Sequence, residues 1–166
     1  MKPFLSDWTI VIAGLWNVRI FTPEWIAQHL LKNPQSKIEI EIPVKSGFPL
    51  RFRSEHLTLI PQPSRIVIGM DSIQDNVLNE AETLGKKIMG LLPHTPMSAF
   101  GINFGFSQED PQIADLFNTN DIEKLSSNGI ERHGTEIIHK LKQDVGELNL
   151  KLSMFWPESK KLAGNT

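Results

Sequence analysis

A few groups of side chains in this sequence could carry chemistry. Glu131, His133 and His139 share strand parity, so two imidazoles and a carboxylate could face one way and hold a metal ion. His133 and His139 are six residues apart, about 20 Å along an extended chain, too far to share an ion without a bend. Solvent-facing histidines are the better reading. Within Pro93-His94-Thr95-Pro96, His94 and Thr95 could move a proton, but no nucleophile or acid is tied to them by spacing, so a rigid turn is favoured. Asn103 stands between Gly101 and Gly105. An amide among glycines could floor a ligand pocket, or the small residues could mark the close approach of a helix, the favoured reading. The same glycines do not make a phosphate loop, because no Gly-Lys-Ser/Thr follows them. Arg51 and Arg53, with Arg65 and Lys45 near them, could form a basic strip; opposite Glu39 and Glu41 they read better as a cross-strand charge ladder. His94, Asn103, Arg51 and Arg53 are therefore the candidate ligand contacts. No catalytic set, metal site or cofactor is expected.

Composition narrows the field further. The 166 residues support one domain and a substantial core. Seventeen Lys and Arg against nineteen Asp and Glu give a net charge of −2, which argues against a dominant electrostatic grip on nucleic acid or on an anionic membrane. The absence of cysteine excludes disulfides, thiolate metal sites and a cysteine nucleophile. The apolar run Trp8–Trp16 is interrupted on its approach by Asp7, has no small-residue cleavage site after it, and falls well short of the roughly 20 residues of a membrane span. A cytoplasmic location is expected.

The elements that would position these residues follow from periodicity and punctuation. Residues 8–21 read as a long strand apolar on both faces. Thr22-Pro23-Glu24 opens a helix over 23–32, with a capping hydroxyl, proline at the first helical position and an acid in the first turn; Asn33-Pro34 ends it. Lys37–Ile42 alternates cleanly, which predicts Ile38, Ile40 and Ile42 on a core face. With strands near 49–53, 56–61 and 65–70, separated by a break at Ser46-Gly47 and a turn at Pro61-Gln62-Pro63, it makes a four-strand antiparallel meander. Residues 72–91 carry the strongest helical stripe, with Ser72 and Asp75 at capping-box spacing.

Residues 97–107 read as one strand. Phe100, Ile102, Phe104 and Phe106 share a face predicted to be buried, with Gly101, Asn103 and Gly105 opposite. Asp110-Pro111 opens a short helical segment to Phe117, and 118–129 reads as a polar excursion. Residues 131–142 and 147–156 form a hairpin about Asp144-Val145-Gly146, closed by Pro157. Trp8, Trp16, Trp25 and Trp156 sit at positions that suit a core better than an interface.

The expected architecture is α+β, a largely antiparallel twisted sheet of seven to eight strands with two main helices (23–32 and 72–91) on one face. Residues 1–157 would form a single domain and 158–166 a polar tail. The β-α-β4-α order over roughly 8–92 resembles, in topology alone, the fold of the TATA-box-binding protein and its structural relatives; no sequence motif accompanies it and it implies no function. Two helices cannot cover so large a sheet on both sides. The expected function is therefore a non-catalytic assembly or protein-interaction module that self-associates as a dimer or larger homo-oligomer. The alternative is a small-ligand binder or enzyme with its pocket between the sheet and helix 72–91.

Overall fold

The computed structural model of the chain describes residues 2–31, 33, 35–43, 48–108, 134–144 and 146–155. The chain divides into two compact units, Met1–Gln108 and Glu109–Thr166, and each is described by itself. The expected helical segment from Asp110 to Phe117, the polar excursion 118–129, Glu131, His133, Lys45, Trp156 and the tail 158–166 lie outside the described residues.

In the first unit, β1 (Lys2–Pro3) leads through a 3-10 turn at Leu5–Asp7 into β2 (Thr9–Gly14). β2 is shorter than the strand expected over 8–21. The ladder register shifts at Ala13/Gly14, and a Cβ on Gly14 would stand 2.6 Å from the Pro96 carbonyl oxygen. A second 3-10 turn follows at Val18–Ile20, opened by Asn17, whose side chain accepts the Arg19 N–H at 3.2 Å. The local Asn17 bond takes the backbone out of the extended conformation that the apolar pattern alone would continue.

α1 (Pro23–His29) starts as its sequence signals require: Thr22 Oγ1 accepts the Trp25 N–H at 3.2 Å. The meander is formed by β3 (Glu39–Glu41), β4 (Arg51–Ser54), β5 (Leu57–Gln62) and β6 (Arg65–Met70), each antiparallel to the next. Pro61 stays inside β5, so the turn comes later, at Pro63-Ser64. α2 (Asp75–Leu91) begins three residues after Ser72. The Ser72–Asp75 capping box is not formed: Gln74 is the cap without a side-chain bond, and Ser72 Oγ accepts the Gln74 N–H at 3.3 Å. That local turn uses the hydroxyl the box would need.

The single strand expected at 97–107 is two. β7 (Met97–Asn103) joins the main sheet, and β8 (Phe106–Ser107) pairs with β1 in a separate two-stranded ladder. The main sheet runs β3-β4-β5-β6-β2-β7, six strands, all neighbours antiparallel. The fold is α+β.

Both helices lie on one face of this sheet. Ile66, Ile68, Val77, Ala81 and Ile88 have no exposed surface, and Ile10, Ile12, Phe52, Leu59, Ile26 and Leu30 belong to the same core. α2 packs over β6 and β2. Trp8 and Trp16 are buried and Trp25 is half-buried. Of the three isoleucines expected in the core from 37–42, Ile38 is half-buried against it, while Ile40 is 43% and Ile42 73% exposed. Ile40 lies on the outermost strand of the sheet and Ile42 just past its end, so alternation sets the side they face without covering them.

The second unit contains a hairpin of β9 (Gly134–Gln143) and β10 (Gly146–Phe155), paired in continuous register from Gln143↔Gly146 to Gly134↔Phe155. One face carries Ile137, His139 and Leu141 with Leu148, Leu150, Leu152 and Met154; the other carries Glu136, Ile138, Lys140 and Lys142 with Glu147, Asn149, Lys151 and Ser153.

Candidate binding surfaces

The four sequence candidates do not converge. Arg51 and Arg53 project from β4 on the side away from the helices, opposite Glu41 and Glu39 in register. The Glu41 carboxylate bridges both, 3.7 Å from Arg51 and 3.9 Å from Arg53, so the charge ladder is present. Asn103 closes β7, where its amide donates to Thr9 Oγ1 at 3.0 Å. β4 and β7 are four strand spacings apart, about 19 Å. His94 is exposed in the connection between α2 and β7. Among the described residues no cluster of three or more His, Asp or Glu could hold a metal ion, and no helix is long and apolar enough to cross a membrane.

The structure instead assembles an apolar strip along β7. Ile10 pairs with Ile102 and Ile12 with Phe100, which places Phe100 and Ile102 on the helix side of the sheet. The expectation that a helix lies against Gly101 and Asn103 is therefore overturned: α2 is on the other face, and a Cβ on Gly101 would meet nothing within 4 Å. The expected burial of the bulky face fails too. Phe100, Ile102, Phe104 and Phe106 are 54%, 49%, 54% and 53% exposed. β7 is the edge of the sheet, and α2 runs over β6 and β2 without reaching across it.

The gap between α2 and β7 is a groove of about 490 Å³, floored by Ile10, Phe100, Ile102 and Phe104 and walled by Met70, Leu78, Gly85 and Met89. Its polar rim is Asn79 with the Glu82–Lys86 ion pair of the helix surface. By contrast, the seam under α1 and α2 holds only about 30 Å³, room on the order of one water.

Trp8 organises the far end of the strip, a role its alternating position did not announce. Its ring meets Phe104 and Phe106 edge-on at 4.9 and 5.5 Å, and its Nε1 donates to the Gly105 carbonyl at 2.8 Å. The Phe4 N–H donates to that same carbonyl at 2.8 Å. Gly105 is required there, since a Cβ would stand 2.5 Å from Asp7 Cβ. The signal that could have found this site is the total lack of charge from Thr95 to Gln108. The opposite edge, β3, has its outer strand charged, with Lys37 on Glu39 at 2.7 Å; that ion pair holds the Glu39 carboxyl below the ordinary glutamate range and raises Lys37. Charges along an edge strand resist unselective strand addition, while opposite charges brought into register favour one pairing.

The hairpin is the second apolar surface. Leu148 is 63% exposed and Leu150 47%, on strands ten residues long. Its polar face is tied by Lys151 Nζ to Glu136 at 2.7 Å, with Ser153 Oγ donating to the same carboxylate at 3.3 Å. These bonds, Lys151 first, lower the Glu136 pKa from its ordinary value.

No protein-family model, curated protein or solved structure matches the chain.

Proposed function

We propose that this protein is a non-catalytic assembly module that works by associating with further copies of itself. The observation that carries the reading is the hairpin. Two strands alone are at best marginally stable in water, because each residue is ordered for half the backbone bonds and little burial. This hairpin keeps ten residue pairs in register with Leu141, Leu148 and Leu150 of its apolar face exposed. A further strand or layer supplies the missing burial, and a second copy provides one at no cost in specificity. Sedimentation equilibrium of the full chain from one to one hundred micromolar tests this. A concentration-dependent mass above the monomer is expected; a monomer throughout would sink the reading.

A second reading is favoured by the groove beside α2. Its volume of about 490 Å³ falls within the range of small-molecule sites, and its floor is apolar. An alkyl or aromatic ligand would fit there, held by burial and not by the sequence candidates, none of which lines it. Titration with a long-chain fatty acid, followed by tryptophan fluorescence, should saturate in the native chain and not in Ile102→Trp, which fills the floor. No difference between the two would remove this reading.

A further inference from the structure

The geometry points to a specific mode of association: β10 pairs antiparallel, edge to edge, with β10 of a second copy about a two-fold axis at Asn149. The inference deepens the self-association reading and rests on it.

The argument starts from the turn. Gln143 and Gly146 face each other across a two-residue connection. The closing pair of such a turn is hydrogen-bonded, and bonded and non-bonded pairs then alternate along the ladder. Leu148, Leu150 and Leu152 therefore spend their backbone groups on β9. The N–H and C=O of Glu147, Asn149, Lys151 and Ser153 point outward, to an edge with no strand partner among the described residues.

Charge selects the register. With the two-fold at Asn149, Glu147 of each copy faces the partner's Lys151, giving two opposite-charge pairs and no like-charge pair. On the other face Leu148 meets the partner's Leu150. Moving the axis to Glu147 or to Lys151 sets like charges directly opposite, which destabilises a sheet. Moving it to Leu150 sets Glu147 against the partner's Ser153 and loses both charge pairs. On the competing edge, β9, the acid Glu136 is already paired with Lys151 and accepts from Ser153. Glu147 has no ion pair among the described residues, and the Lys151 ammonium keeps donors to spare beyond its bond to Glu136.

The charge pattern provides a test that misfolding cannot imitate. Glu147→Lys alone places lysine against lysine twice in its homodimer; Lys151→Glu alone places glutamate against glutamate twice. Mixed one to one, the two variants restore both opposite-charge pairs without any change to either chain. Sedimentation should show each variant associating about tenfold more weakly than the native chain, with the mixture returning to native-like dimer. The cysteine-free sequence allows a second readout. Asn149→Cys should form a disulfide-linked dimer on mild oxidation at micromolar concentration, and Leu150→Cys should do so several-fold less. A native dimer whose variants associate normally, or whose mixture shows no rescue, overturns this register and leaves self-association standing. Stronger cross-linking at position 150 than at 149 does the same. A native monomer overturns both.

Discussion

β5 and β6 in the six-stranded sheet and β10 in the hairpin carry the same alternating pattern and meet different fates. Leu57 and Leu59 are 6% and 3% exposed, and Ile66 and Ile68 are fully buried. Leu148 and Leu150 are 63% and 47% exposed. All belong to antiparallel pairs of regular register. The difference is the helix layer: α2 sets Val77, Ala81 and Ile88 over β6 and β2, and no described element of the second unit covers the hairpin. Alternation thus decides the side on which a residue sits, and a second layer decides whether that side is dry. β7 shows the boundary between the two cases inside one sheet, with Ile10 and Ile12 buried beside Ile102 and Phe100 that are half open.

The largest effect that would break this comparison is at its centre. Ile68→Ala should lower the unfolding free energy by about 2–5 kcal/mol, since a fully buried side chain loses its burial and leaves a cavity. Leu150→Ala should change the same denaturation midpoint little and weaken association several-fold instead. Equal losses in stability would show that the two faces are equally covered.

Backbone approach separates covered from open positions in the same way. Gly14→Val should cost about 1–3 kcal/mol, because the new Cβ meets the Pro96 carbonyl oxygen at 2.6 Å. Gly101→Val, with nothing within 4 Å, should stay within about 0.5 kcal/mol of the native chain. Thermal melts of the two variants, recorded together, check both.

Phe104→Ala is intermediate. A buried phenylalanine would lose about 3–5 kcal/mol. Half exposed and held by an edge contact to Trp8, Phe104 should cost about 1 kcal/mol. A loss above about 3 kcal/mol would mean that the strip is covered in solution.

The smallest expected effect is on the hairpin's pH dependence. Because Lys151 and Ser153 lower the Glu136 pKa, the folded hairpin binds fewer protons there than the unfolded chain. The contribution is present above the unfolded glutamate value and is lost as pH falls through the lower folded one. Amide exchange in β9 and β10 should speed up over that acidic window, and Glu136→Gln should flatten the response.

Local chemistry was enough to define much of this protein. Thr22-Pro23-Glu24 starts α1 because a capping hydroxyl and a fixed φ act within one turn. The meander, the Arg51/Arg53 ladder and the β9–β10 hairpin follow from period-2 alternation and short turns, which need only neighbours in sequence. Three features were decided by the tertiary structure alone. The helices settled on the face shared by Ile10 and Phe100, leaving Gly101 and Asn103 open; strand pairing fixes two faces, and only helix docking selects between them. β7 became an edge because β6 took the other side of β2, and strand order depends on contacts between residues far apart in the chain. The groove beside α2 and the Trp8 anchor on Gly105 join residues about a hundred positions apart, a proximity that no local spacing encodes.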